Sequence, residues 1–210
     1  MAALEDNDRA KDRDLDRILA LSDGVFAFAI TLLALDLVVP EVSGTTGGAF
    51  SAAFAGQAQR FVSYLLSFFI VGLWWEFHHR IFRHVRRYDT ALMWLNILFL
   101  LPVTLTPYFT KLISQFGNLQ LPVALYALDA AAVGAMSAVL WRYVSKGHRL
   151  IDPSVSMGFI RSNQIRMSIA PILFLASVGI SFVSVYLAEV IWVSLFPIGA
   201  YTRRRFPLAA

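Results

Sequence analysis

Arg17–Pro40, RILALSDGVFAFAITLLALDLVVP, decides the fold. From Val25 to Val39 only Thr31 and Asp36 interrupt an apolar run, and the whole stretch is long enough to cross about 30 Å of hydrocarbon as a helix. Ser22, Asp23, Thr31 and Asp36 need a reason, because ionisable groups inside a span are costly unless they find a partner, a cavity or an ion path. At about 100° per residue, Leu21, Phe28, Leu32, Leu35 and Val39 share one stripe, with Gly24 and Thr31 at its edge. Asp23 lies nearly opposite, beside Ala27, Ile30 and Ala34. One face carries bulky apolar groups and a hydroxyl; the other is suited to neighbouring helices through Asp23 and small alanines, the pattern of a pore lining and its support.

The rest of the composition agrees with a chain that lives in lipid. Of 210 residues, 58% are hydrophobic and 15% charged, far too apolar for a soluble domain of this size. The N-terminus, MAALEDNDRAKDRDLDR, is charged and mixed in sign, unlike a signal peptide, so the first span is expected to stay in the mature protein. Cysteine is absent, which removes disulfides, thiolate metal sites and cysteine nucleophiles from consideration. No Gly-x-Ser-x-Gly elbow, phosphate-binding glycine loop or His-Glu-x-x-His is present, so enzyme readings have no support.

Along the chain, Glu41–Gly48 reads as a Gly, Ser and Thr-rich loop, and Phe50–Phe77 as a second apolar stretch interrupted by Gln57, Gln59 and Arg60, with Phe61–Phe77 as its membrane part. A basic loop, His78–Asp89, leads to a third span over Thr90–Thr110, in which Pro102 and Pro107 are expected to bend or end the helix. The fourth span covers Leu119–Val144 with Asp129 near its middle, and a polar, basic segment, Ser145–Arg166, follows. Ile169–Tyr201 is too long for one span and adequate for two, with the turn expected at Tyr186–Glu189. Six spans result, an all-α membrane domain over residues 17–206 preceded by a segment over 1–16.

Lys and Arg test this segmentation, because they should gather in alternate loops. All of the 18 except Arg60 and Lys111 fall on one side, which predicts cytoplasmic termini in a multi-pass protein of the cell membrane. The net charge of +4 therefore reports topology and not a nucleic-acid partner. Asp23 should sit at the cytoplasmic end of the first helix, with Asp36 at the outer mouth.

Arg17, Leu21, Ser22 and Asp23 resemble the Arg-x-x-x-Phe-Ser-Asp signature of the transmembrane protein 175 family, the lysosomal and bacterial potassium channels; Leu21 stands where that family has Phe. GVFAFAITLLALDL is similar to the family's first helix. Trp75, His78 and His79 in WWEFHHRIF resemble its Trp-x-x-His-His element, and Leu95–Thr110, LNILFLLPVTLTPYFT, is similar to its third helix in the spacing of Asn96 and Pro107. These elements cover about half of the chain. The signature occurs once, so a pore lined by this helix requires further copies of the chain. The resemblance implies a homotetramer in a lipid bilayer, conducting monovalent cations with K⁺ as the permeant ion and no cofactor.

It further implies that Phe28, in place of the family's usual Ile or Leu, forms the pore constriction with Leu32 and Leu35, with Thr31 at a hydroxyl position assisting selectivity. A narrow apolar ring closes a conduit by dewetting, and a hydroxyl ring replaces part of a cation's hydration. The TVGYG filter loop is absent, so selectivity would have to come from side chains. Arg17, Ser22, Asp23, Trp75, His78, His79 and Asn96 form the implied supporting network.

Each assignment has a plainer counterpart. Ser22 or Asp23 could be a helix N-cap; His78 and His79 an interfacial pair facing water and headgroups, pointing about 100° apart and unsuited to a metal. Phe28, Leu32 and Leu35 could be ordinary core, Thr31 a hydroxyl bonded to its own helix, Asp36 a solvated carboxylate. Asp129 has small neighbours and is placed to bond another helix, and Glu189 to mark a turn. From a different class, a proton-coupled secondary transporter would use Asp23, Asp129 and the histidines as relay groups. A conduction-silent scaffold is the third reading.

Overall fold

The computed structural model describes residues 2–41 and 47–205. Residues 42–46, most of the expected first loop, and Phe206, the expected end of the domain, lie outside them. Among the described residues seven α-helices follow in order: α1 (Ala2–Ala34), α2 (Gly47–Ala55), α3 (Ala58–Phe82), α4 (Thr90–Phe116), α5 (Gln120–Ser145), α6 (Met157–Ser181) and α7 (Val185–Arg205). Five of them contain segments long and apolar enough to cross a bilayer. The sixth, α7, has 21 residues, about 31 Å of helix, with a shorter apolar part over Val185–Gly199 and arginines at its end.

Several boundaries follow from capping chemistry. Asp89, in extended conformation, accepts a hydrogen bond from Leu92 N at 2.8 Å and starts α4; Ser156 accepts from Phe159 N at 3.2 Å and starts α6. Ser184 does the same for α7, accepting from Leu187 N at 3.4 Å, so the last turn falls before Val185 and not at Tyr186–Glu189. Glu189 accordingly lies inside α7 and marks no turn. Gly56 and Gln57 separate the short α2 from α3, dividing what reads as one apolar stretch.

Neither proline ends α4, which runs on to Phe116. Hydroxyls in that stretch supply local bonds to main-chain carbonyls: Thr104 Oγ1 to Leu101 O at 2.7 Å, Thr106 Oγ1 to Pro102 O at 3.2 Å and Thr110 Oγ1 to Thr106 O at 2.9 Å. The first span, in contrast, is shorter than Arg17–Pro40. It tightens at its end through bonds from Leu35 N to Leu32 O and Asp36 N to Leu33 O, which places Leu35 and Asp36 in the terminal turn beyond α1.

α5 is the central helix, packed on α4 and α6, with α7 against α6 and α1 against α3 and α4. Gly134 permits the closest approach: a methyl group there would meet Pro171 Cδ at 2.8 Å and Trp74 at 3.1 Å. Within the most apolar window of each helix, 61% of α5 is buried and only 28% of α1. α1 therefore lies at the edge of the bundle. The α3–α4 loop is joined to the segment after α5 by Arg86 N to Leu150 O at 2.7 Å and a bridge between Val85 and Ile151. The N-terminal end of α4 and α6, the C-terminal end of α3 and α5, and most Lys and Arg thus share one end.

Candidate functional site

α1 meets its own subunit through a face that the two-sided reading of the sequence missed. Ile18, Ser22, Phe26, Ala29 and Leu33 are buried, and at 100° per residue they form a single stripe. Because nearly every face of a membrane helix is apolar, hydrophobicity alone did not single it out. Its one polar member did contain the signal: Ser22 can be buried only with hydrogen-bond partners.

Those partners form a directed chain. Ser22 Oγ donates to Ile18 O at 2.8 Å and accepts from Asn96 Nδ2 at 2.9 Å; Asn96 Oδ1 lies 2.8 Å from His78 Nε2. Since the amide presents its oxygen to the ring, His78 Nε2 carries the hydrogen and donates. Ser22 is thus mid-helix, about six turns into α1, and caps nothing. His78 is buried in an aromatic box that periodicity did not reveal: Phe82 stacks at 4.4 Å between centroids, Phe99 at 5.3 Å, and Phe26 of α1 tilts at 5.8 Å.

Asp23 faces away from this chain and accepts from Trp75 Nε1 at 2.9 Å, a bond within the subunit to α3. His79 stacks on Trp75 with centroids 5.5 Å apart and is exposed, so the two adjacent histidines part company, one into the core and one outward. Arg17 is exposed and takes part in none of these bonds. Among the described residues no three His, Asp or Glu side chains converge as a metal site.

The stripe of bulky residues points out of the subunit. Phe28 is 65% exposed and Leu35 74%, Leu21 and Thr31 are also exposed, and Leu32 is half-buried. Thr31 Oγ1 bonds back to Phe28 O at 2.9 Å. Leu21, Gly24, Phe28 and Leu32 bound an open apolar groove of about 540 Å³, closed on its far side by Thr104 of α4. Asp36 is not merely a solvated carboxylate. Ser114 Oγ donates to its Oδ2 at 2.5 Å and Lys111 Nζ stands 4.0 Å from Oδ1, which fastens the end of α1 to the end of α4.

A second polar cluster lies inside the bundle. Thr106 Oγ1, which shares its one hydrogen with Pro102 O, lies 2.9 Å from Asp129 Oδ2, Thr110 Oγ1 is 2.9 Å from Ser67 Oγ, and Ser67 Oγ is 3.0 Å from Tyr126 OH. It bonds α3, α4 and α5 together where no water can substitute.

Apolar helices of membrane length, with their polar groups paired internally, define a polytopic α-helical membrane protein. Residues 17–107 match the family of the endosomal/lysosomal potassium channel TMEM175. A potassium channel of Streptomyces collinus is 35% identical over 172 residues, 80% of this chain and 82% of that protein. A potassium channel of Chamaesiphon minutus is 30% identical over 175 residues, 82% of this chain and 86% of that one. The crystal structure of a lysosomal potassium-selective channel TMEM175 homologue from Chamaesiphon minutus superposes with a TM-score of 0.77 at 28% identity, covering 92% of this chain and 98% of that one. The chain belongs to the TMEM175 family, a family of channels and not of enzymes.

Proposed function

We propose that this chain is the subunit of a potassium-preferring cation channel, in which copies of α1 surround a pore on the axis of a closed homotetramer. The observation that carries the proposal is the outward stripe of α1. A helix with Ile18, Ser22, Phe26, Ala29 and Leu33 sealed against its own subunit still presents Leu21, Phe28 and Thr31 to the outside, and Leu35 in the turn just beyond it is exposed as well. The groove beside that stripe offers a seat for a neighbouring copy, and symmetry supplies the missing walls.

In this arrangement Phe28, Leu32 and Leu35 constrict the pore and close it by excluding water. Thr31 supplies hydroxyl oxygens beside the constriction; its hydrogen is committed to Phe28 O, which leaves the oxygen lone pairs for a cation. The Ser22–Asn96–His78 chain and the Asp23–Trp75 bond fix the rotation of α1, hence the direction of Phe28 less than two turns on. Asp36 holds the outer end of the helix in place through Ser114 and Lys111 and adds negative potential there. The basic end of the bundle, with both termini, faces the cytoplasm by the positive-inside rule.

Potassium flux into liposomes tests the lining. Phe28→Ala and Leu35→Ala should each raise flux and reduce the preference for K⁺ over Na⁺ in an assembly of unchanged size. Unaltered flux and selectivity in both variants would refute this lining.

A further inference from the structure

At the basic end of the bundle, a cavity of about 390 Å³ opens between the C-terminus of α3 and the N-terminus of α6, lined by Arg83, His84, Arg86, Asp152, Ser156 and Phe159. Neither Arg83 nor Arg86 forms a salt bridge among the described residues. Arg86 and His148 act on the Asp152 carboxylate from beyond ion-pair distance, while Ser154 N occupies Asp152 Oδ1 at 2.8 Å. His84 is held at the wall by Nδ1–H donating to Arg80 O at 2.9 Å and by ring contacts with Phe159 at 5.1 Å and Trp141 at 5.9 Å. The Ser156 hydroxyl satisfies Phe159 N, whereas the amides of Met157 and Gly158 are first-turn donors with no acceptor inside the helix.

We propose that this cavity binds a phosphate-bearing anion, either a phospholipid headgroup or a free phosphate ester. Two guanidinium forks opposed by one carboxylate leave an excess of positive charge, and Arg forks together with helix N-terminal amides suit a tetrahedral oxyanion. The space exceeds the roughly 30 Å³ share of one water many times over, enough for a phosphate and its ester carbon skeleton. Its level favours a lipid source, since α3 ends and α6 begins here, and basic pockets between spans on this side hold anionic headgroups. Val155 and Phe159 give the lip an apolar border, and exposed Met157 continues it. Binding at this place does not depend on whether the assembly conducts.

Isothermal titration of the purified full-length protein with dioctanoyl phosphatidic acid, and separately with inorganic phosphate, tests the site. The wild type should bind dioctanoyl phosphatidic acid saturably, and the Arg83→Gln/Arg86→Gln variant at least about tenfold more weakly. Arg87→Gln removes a charge from the same loop outside the cavity and should change the affinity by less than about twofold. Inorganic phosphate displacing the lipid supports a phosphate-ester site; lipid binding that phosphate does not displace supports a headgroup site. Unchanged affinity in the double variant, equal weakening in Arg87→Gln, or no saturable binding of either probe overturns the proposal.

Discussion

Replacing Asn96 by leucine, similar in size and apolar, should break the bond that couples α1 to α3 through α4. His78 is buried, so its Nε2–H would lose the Asn96 acceptor with no water to replace it. A buried donor left without a partner costs about 1–3 kcal/mol. For a chain of this size that corresponds to a fall of roughly 2–12 °C in the unfolding midpoint. Ser22→Ala removes the acceptor of Asn96 Nδ2 at 2.9 Å and should cost a similar amount. The two changes share one chain, so adding Ser22→Ala to Asn96→Leu should lower the midpoint little further, because no amide donor remains to be orphaned. Midpoints of all four proteins in one detergent at one protein concentration measure the coupling. If the two shifts simply add, to within about 0.5 kcal/mol, the chain does not exist as a unit.

The Asp89 carboxylate caps α4 and accepts from Tyr143 OH at 2.6 Å, and Asp89→Ala should cost about 1 kcal/mol, read as a lower midpoint. Partial burial acts to raise its pKa, but the bonds from Tyr143 and Leu92 N and the Arg149 charge hold it below the usual 3.8. A depressed carboxyl contributes stability above its unfolded value that disappears as pH falls through the folded one; the wild type should therefore lose midpoint below about pH 4 more steeply than Asp89→Asn. Gly134→Ala would force a methyl group against Pro171 Cδ at 2.8 Å and should destabilise by about 1–3 kcal/mol, whereas Gly179→Ala, with open space around it, should not. Equal midpoints for the two glycine variants would contradict the close approach of α5 and α6.

Much of this molecule could be read from residue order because lipid simplifies the problem: spans must be helical, long and apolar, and their ends carry charge. The number of spans and the gathering of Lys and Arg at one end came from those constraints. Within the first half, Asp23 with Trp75 and Asn96 with His78 join residues that had been selected together by resemblance. Three features were harder to see. The face of α1 turned inward was hidden because apolar residues surround that helix. The persistence of α4 through Pro102 and Pro107 was hidden because proline, a helix breaker in water, is tolerated inside membrane spans. The start of α7 was set by Ser184, a single cap inside a uniformly apolar run, where hydropathy gives no boundary. The tie between Asp36 and Ser114 was hidden for a related reason: the two residues are distant in sequence.

The proposed conduction path requires α1 to turn its outward stripe toward a conduit shared by several copies. The chain has no cysteine, so Leu35→Cys introduces a single thiol and Leu98→Cys, on the exposed face of α4, a control. Potassium flux in liposomes, measured before and after complete labelling with a bulky methanethiosulfonate reagent, should collapse for Leu35→Cys and persist for Leu98→Cys. Persistent flux through fully labelled Leu35→Cys, or equal block at Leu98→Cys, would contradict it.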